Sequence, residues 1–211
     1  MYAWHGPTDS PDFLVLAPGD QAQLDDDAPK AIAQGLGEAG VRVVRFPFPY
    51  CETSDGARRD ALLAEHIREA AALKAPSQRL ILGGLSRGAR VSGELANDLG
   101  AIALLAFAYP FHPRHDPDPG QRAKALGELT VPVMLFQGTR DSRGNRQQVL
   151  GYGLPNHVQV HWLDDANHAL EPRLRSGHTQ ADQLAQAVTL AASFLEATRG
   201  TTQGSCGSVA S

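Results

Sequence analysis

The stretch Leu80-Ile81-Leu82-Gly83-Gly84-Leu85-Ser86-Arg87-Gly88-Ala89-Arg90 decides how this chain is read. Leu80 to Leu82 predicts a short buried strand running into Gly83-Gly84. From Arg87 a helix is expected to reach Leu99, with Val91, Leu95 and Leu99 on one face and Gly100 as its stop. Between strand and helix stands Gly84-Leu85-Ser86-Arg87-Gly88, a Gly-x-Ser-x-Gly pattern. In that setting the pattern is a nucleophile elbow: the turn is so sharp that backbones meet where β-carbons would stand, and the serine hydroxyl is lifted above the sheet. The helix beginning at the serine directs free N–H groups and its positive dipole end to the same place. The backbone N–H of Arg87 is therefore a candidate oxyanion donor.

On both sides of the elbow, short apolar runs alternate with amphipathic stretches, as in a parallel sheet covered by helices. Strands are expected at Phe13 to Leu16, Val41 to Val44, Ala101 to Ala108 and Val131 to Gln137. Val158, Val160 and Trp162 alternate with polar residues, which suits a strand near the sheet edge. One helix is expected after Asp27 as cap, with Ile32 and Leu36 inward and Gly40 as its end. A second runs from about Ala57 to Leu73 on Leu63, Ile67 and Ala70, and a last one on Leu184, Val188, Ala191 and Leu195. The expected fold is α/β, with about six mostly parallel strands flanked by helices in one domain over residues 1–198. The segment from Ala108 to Gln121 is too short for a cap domain, so the site should be shallow and open. The small, polar composition from Arg199 predicts a disordered tail over 199–211.

A serine nucleophile needs a base, and the base needs a group to orient it. The strand ending at Gln137 leads into Gly138-Thr139-Arg140-Asp141, and the Val158–Leu163 strand into Asp164-Asp165-Ala166-Asn167-His168. Asp141 and His168 thus fall in loops on the sheet edge that carries Ser86, where α/β proteins place their ligands. Serine, acid and histidine also arrive in the chain order that accompanies this elbow. Ser86, Asp141 and His168 are the expected catalytic residues. Asp164 and Asp165 are expected to be solvated turn residues, and Arg90 to pair with Glu94 one helical turn on.

Composition narrows the function further. The 211 residues carry a formal net charge of −4, and the 19 basic residues form no block, which argues against a nucleic-acid binder. No apolar run is long enough to cross a bilayer, and the first residues carry neither a basic region nor an apolar run of the kind that starts a signal peptide. The two cysteines, Cys51 and Cys206, do not make a disulfide framework. The expected setting is cytoplasmic, with a small-molecule substrate, no nucleic acid or membrane partner, no cofactor and no metal.

The chain resembles the α/β-hydrolases. Within them it resembles the family named for testis-expressed protein 30 and NSL complex subunit 3. The likeness is carried by Gly83–Arg90, Arg45-Phe46-Pro47-Phe48-Pro49-Tyr50, Tyr109-Pro110-Phe111-His112-Pro113, Phe136-Gln137-Gly138-Thr139-Arg140-Asp141 and Asn167-His168-Ala169-Leu170, and spans about residues 13 to 196. It implies an α/β-hydrolase fold and a triad on Ser86, Asp141 and His168, but little about substrate. Tyr50 and His112, in two of these segments, are candidates for the substrate pocket.

Such proteins follow the first strand with a His-Gly loop that supplies the second oxyanion N–H. Here that loop reads Leu16-Ala17-Pro18-Gly19-Asp20-Gln21. Proline, without an N–H, stands in place of histidine, and the N–H of Gly19 or Asp20 is left as the second donor. The Asp20 carboxylate, if it points inward, opposes the charge of the tetrahedral oxyanion, and Asp20→Asn should then raise kcat. The expected reaction is hydrolysis of a carboxylic ester or thioester. The alternatives are a non-catalytic interaction module on the same scaffold and a metal-dependent hydrolase using His112, His115 and Asp116.

Overall fold

The computed structural model describes residues 1–52, 54–113 and 120–202. Its strands are β1 (Ala3–His5), β2 (Asp12–Ala17), β3 (Arg42–Arg45), β4 (Arg79–Leu85), β5 (Ala103–Phe107), β6 (Val133–Gly138) and β7 (Val158–Leu163). Its helices are α1 (Asp27–Glu38), α2 (Gly56–Ala71), α3 (Arg87–Ala96), α4 (Gln121–Gly127), α5 (Arg146–Gly151) and α6 (Gln180–Thr202). The strands form one sheet in the order β1-β3-β2-β4-β5-β6-β7. Every neighbouring pair is parallel except β1 with β3.

Alternation along the central strands explains the three layers. Phe13 and Val15 of β2 and Leu80 and Leu82 of β4 pack with α2 and α3 through Leu63, Ile67, Ala89, Val91 and Leu95. Leu14 and Leu16 of β2, Ile81 of β4 and Leu105 of β5 pack on the other face with Ile32 and Leu36 of α1 and Leu184, Ala187 and Ala191 of α6. A strand buried on both faces needs a run of apolar residues, which is what β5 and, beyond Asp12, β2 show. β7, the edge strand, is only half-buried along its middle.

The expected sheet of about six mostly parallel strands is present as β2 to β7, and Ala3-Trp4-His5 adds a seventh, antiparallel to Val43–Arg45. Two expectations change. Asp26, not Asp27, precedes α1, and its side chain makes no capping hydrogen bond. The domain also does not stop at Thr198. Helix α6 continues to Thr202, and Arg199 donates from Nε (3.0 Å) and Nη2 (2.5 Å) to the buried carboxylate of Asp12, which Arg79 also holds. Residues 203–211 lie outside the described residues.

β2 lies between β3 and β4, so successive connections leave it toward opposite edges of the sheet. A crevice opens at the C-terminal ends of strands where the winding reverses in this way. The residues there are Pro18 to Gln21 after β2 and Ser86 after β4. Among the described residues no further domain stands over that edge.

Candidate active site

Ser86 sits on the turn between β4 and α3 with φ +50° and ψ −115°, a backbone conformation that L-residues rarely adopt and that costs on the order of 1–3 kcal/mol. The surroundings impose it. Ser86 N–H donates to the Phe107 carbonyl (2.9 Å), and Arg90 N–H donates to the Ser86 carbonyl (3.2 Å), so the turn is tied to β5 below and to the helix above. A β-carbon on Gly84 would stand 2.5 Å from the Gly88 carbonyl carbon, and one on Gly88 would stand 2.4 Å from the Pro18 carbonyl oxygen. Both glycines are therefore required, the first by the elbow itself and the second by the approach of the Pro18 loop.

The histidine and the acid arrive where the loop order places them. His168 Nε2 is 2.8 Å from Ser86 Oγ, and His168 Nδ1 is 2.9 Å from both Oδ1 and Oδ2 of Asp141. A carboxylate only accepts, so Nδ1 carries the ring proton and Nε2 is left to accept from the serine hydroxyl. Asp141 is fully buried and also accepts from the Arg143 N–H (2.7 Å) and from Gln137 Nε2 (2.9 Å). Gln137, itself fully buried, shares that amide with the carbonyls of Tyr109 (3.3 Å) and Gly144 (3.0 Å). It was not singled out as a site residue, although one amide at the end of the apolar run Val133-Met134-Leu135-Phe136 is a visible signal.

The acid and base loops are fastened to each other. A β-carbon on Gly138 would meet the Ala166 carbonyl oxygen at 2.4 Å, and Arg140 N–H donates to that same oxygen (3.0 Å). Asp165 N–H donates to Thr139 Oγ1 (2.8 Å), and Arg140 Nε donates to the Asp165 carbonyl (2.9 Å) and lies 3.0 Å from its Oδ1. Asp165 lies in the turn, but in place of the solvated residue expected there it is a joint between the two loops, with φ +56°. Hydrogen bonds from Arg173 above all, with the charge of Arg140 in support, hold its carboxyl well below the usual carboxylate range.

On the other side of the elbow, Gly19 lies beside the serine: a β-carbon built there falls 3.9 Å from Ser86 Cβ and 3.6 Å from the Leu85 carbonyl oxygen. Asp20 does not stand unpaired. Its Oδ1 is 2.5 Å from Arg59 Nη2 and 3.5 Å from Arg87 Nε. Arg87 also binds Asp60 (2.5 Å), and Arg90 binds both Asp60 (2.6 Å) and, as expected, Glu94 (2.5 Å).

The two pocket candidates are not brought together. Tyr50 is exposed, donates to Glu52 (3.2 Å) and lines a groove of about 760 Å³ along α2 with Cys51, Arg58, Leu62 and Glu65. His112 is buried, with its Nδ1 3.0 Å from the Pro113 carbonyl oxygen and its backbone N–H on the Arg143 carbonyl (3.3 Å). His115 and Asp116 lie outside the described residues, and among the described ones no cluster of three or more His, Cys, Asp or Glu side chains forms.

A sequence model of the alpha/beta hydrolase domain matches residues 10–196. The chain belongs to the α/β-hydrolase family. Solved members share its architecture at low identity. An α/β serine hydrolase homologue from Coxiella burnetii superimposes with a TM-score of 0.69 at 18% identity, covering 92% of this chain and 90% of that one. A Xanthomonas campestris α/β serine hydrolase without lid gives 0.60 at 20%, over 93% and 86% of the two chains. Est1E from Butyrivibrio proteoclasticus gives 0.67 at 14%, over 94% of each. Comparison with curated proteins gives no match.

The narrower likeness to the testis-expressed protein 30 and NSL complex subunit 3 family is not supported by these matches. One of the segments that carried it, Tyr109-Pro110-Phe111-His112-Pro113, has structural uses in this α/β-hydrolase: the Tyr109 carbonyl accepts from Gln137, and the Phe111 ring stacks on Tyr152 with centroids 5.6 Å apart. Among the described residues no helix is long and apolar enough to cross a membrane.

Proposed function

We propose that this α/β-hydrolase cleaves small carboxylic esters or thioesters through Ser86, His168 and Asp141. The observation that carries the reading is the unbroken line Ser86 Oγ–His168 Nε2–His168 Nδ1–Asp141, made at a strained elbow. In the first step Ser86 Oγ attacks the carbonyl carbon while Nε2 takes its proton, and Asp141 holds the ring in the tautomer that permits this. The carbonyl electron pair moves onto oxygen, which the N–H of Arg87 and that of Gly19 or Asp20 receive. The tetrahedral intermediate then collapses, and Nε2 returns the proton to the departing alcohol or thiol. Water repeats the cycle on the acyl-enzyme, with His168 again as base.

Est1E, which shares the fold, has been solved with ferulic acid bound. Hydroxycinnamate esters therefore join short p-nitrophenyl esters and acyl-CoA thioesters as first substrates to screen. The non-catalytic alternative draws on the unusual Pro18–Asp20 loop, and the pairing of Asp20 with Arg59 gives its carboxylate a partner away from the serine. Labelling by a fluorophosphonate probe tests the reading directly. Ser86 should be modified, and Ser86→Ala should abolish both labelling and turnover. Turnover retained in Ser86→Ala would remove the nucleophile assignment.

A further inference from the structure

The Pro18–Gln21 loop is clamped from α2. Arg59, on the first turn of α2, has a side chain only 14% exposed, reaches Asp20 Oδ1 at 2.5 Å and places its guanidinium carbon 4.9 Å over the Phe48 ring. The Phe48 N–H in turn donates to the Ala22 carbonyl (2.8 Å). Arg59 thus meets the loop at Asp20 directly and at Ala22 through Phe48. Between those points Gln21 is held at φ +62°, a left-handed conformation that a non-glycine residue keeps only when its surroundings impose it. Arg87 is no replacement, because it sits 3.5 Å from Asp20 and is committed to Asp60 (2.5 Å) and the Gly56 carbonyl (3.2 Å).

We propose that Arg59 is a positioning residue of the oxyanion site. By holding the Asp20 carboxylate against α2, it keeps a negative charge away from the oxygen that becomes charged in the transition state. The proposal rests on the serine-hydrolase reading and deepens it: Arg59 forms no bond with substrate and moves no proton.

Arg59→Met is the informative variant, because the aliphatic stem still covers Phe48 while the charge is lost. On one p-nitrophenyl ester its kcat should fall about 10-fold with KM within about twofold of the parent, since the defect lies in the transition state. Arg59→Lys should recover most of that loss. The decisive step adds Asp20→Asn to Arg59→Met. With the unrestrained charge gone, kcat should return to within about threefold of the parent. A purely structural arginine gives no such rescue, and melting temperatures of all the proteins separate the two effects. Should Arg59→Met not fold, Arg59→Gln carries the same expectation and the same rescue. A parental kcat in the Arg59 variant, or a loss that Asp20→Asn leaves in place, overturns the proposal alone. A parent protein that cleaves no ester and whose Ser86 resists a fluorophosphonate overturns the hydrolase reading and this proposal with it.

Discussion

The loop that brings His168 to Ser86 and the loop that brings Gly19 to it are held by different forces. On the base side the contacts nearest Asp141 and His168 are short and shielded, with the Arg140–Asp165–Arg173 ion pairs outside them. They comprise backbone bonds from Arg140 to Ala166, the Thr139 hydroxyl on Asp165, a glycine that admits the Ala166 carbonyl, and an acid that is fully buried with three donors around it. On the oxyanion side the backbone packs on Gly88, but the side chain that fixes the turn is Asp20, 42% exposed and tied by ion pairs to Arg59 and Arg87. The division matches two tasks of the proposed reaction. Proton transfer tolerates little displacement, so its groups sit in rigid, desolvated contacts. The oxyanion wall needs backbone donors and the right sign of charge nearby, which a network of surface ions can supply.

This contrast is open to measurement. Ser86→Ala, which removes the atom common to both sides, should lower kcat by about 10³-fold or more without changing the melting temperature. Asp141→Asn should cost about 10²–10⁴-fold in kcat, because an amide nitrogen facing Nδ1 favours the wrong histidine tautomer. The loss should exceed that of any single change at Asp20 or Arg59, and the reverse ranking in steady-state kinetics would break the contrast. Asp165→Ala loosens the base loop without touching the triad and should reduce kcat about 10-fold, with Arg140 left without its carboxylate.

Ionic strength sharpens the distinction further. The Debye length shrinks from roughly 10 Å at 0.1 M to roughly 3 Å at 1 M salt, so added NaCl should reduce the parent's kcat about 2–3-fold through the Asp20–Arg59 pair. In Arg59→Met that salt dependence should be absent.

The smallest effect is on stability and lies away from both loops. Burial lowers the affinity of His5 and His161 for protons. At His5 the charges of Arg45, Arg42 and Lys30 add to this, while at His161 Asp164 opposes it. Below about pH 6.5 the unfolded chain binds protons that the folded chain resists, so this contribution is whole above that pH and is lost as pH falls through it. Melting at pH 5.5 should be about 1–2 °C lower than in His5→Gln, relative to the difference between the two at pH 8.

The central sheet was legible because burial on both faces writes unbroken apolar runs into β2, β4, β5 and β6, with Gly-x-Ser-x-Gly between one of them and a helix. The hydrogen-bonded line of Ser86, His168 and Asp141 was legible because each member follows a recognisable strand. β1 was not, since Ala3-Trp4-His5 has no apolar run and is fixed by its register with Arg45, Val44 and Val43. Nor were α4 and α5, too short to show a stripe. The orientation of Asp20 depends on Arg59, 39 residues away, and no local pattern reports a partner at that distance. The small, polar composition from Arg199 likewise hid the end of the domain, because Arg199 docks on Asp12 through its guanidinium.

That pairing has a consequence for how the protein is made. Asp12 and Arg199 lie 187 residues apart, so at roughly 5–20 residues per second β2 leaves the ribosome roughly 10–40 s before its second counter-charge exists. Helix α6, which follows every strand of the sheet in the chain, packs on β5, β6 and α1 on one face. A nascent chain that has not reached α6 therefore carries an incompletely neutralised carboxylate and a sheet face covered by α1 without its neighbour. One docking event resolves both, and it waits for the synthesis of α6.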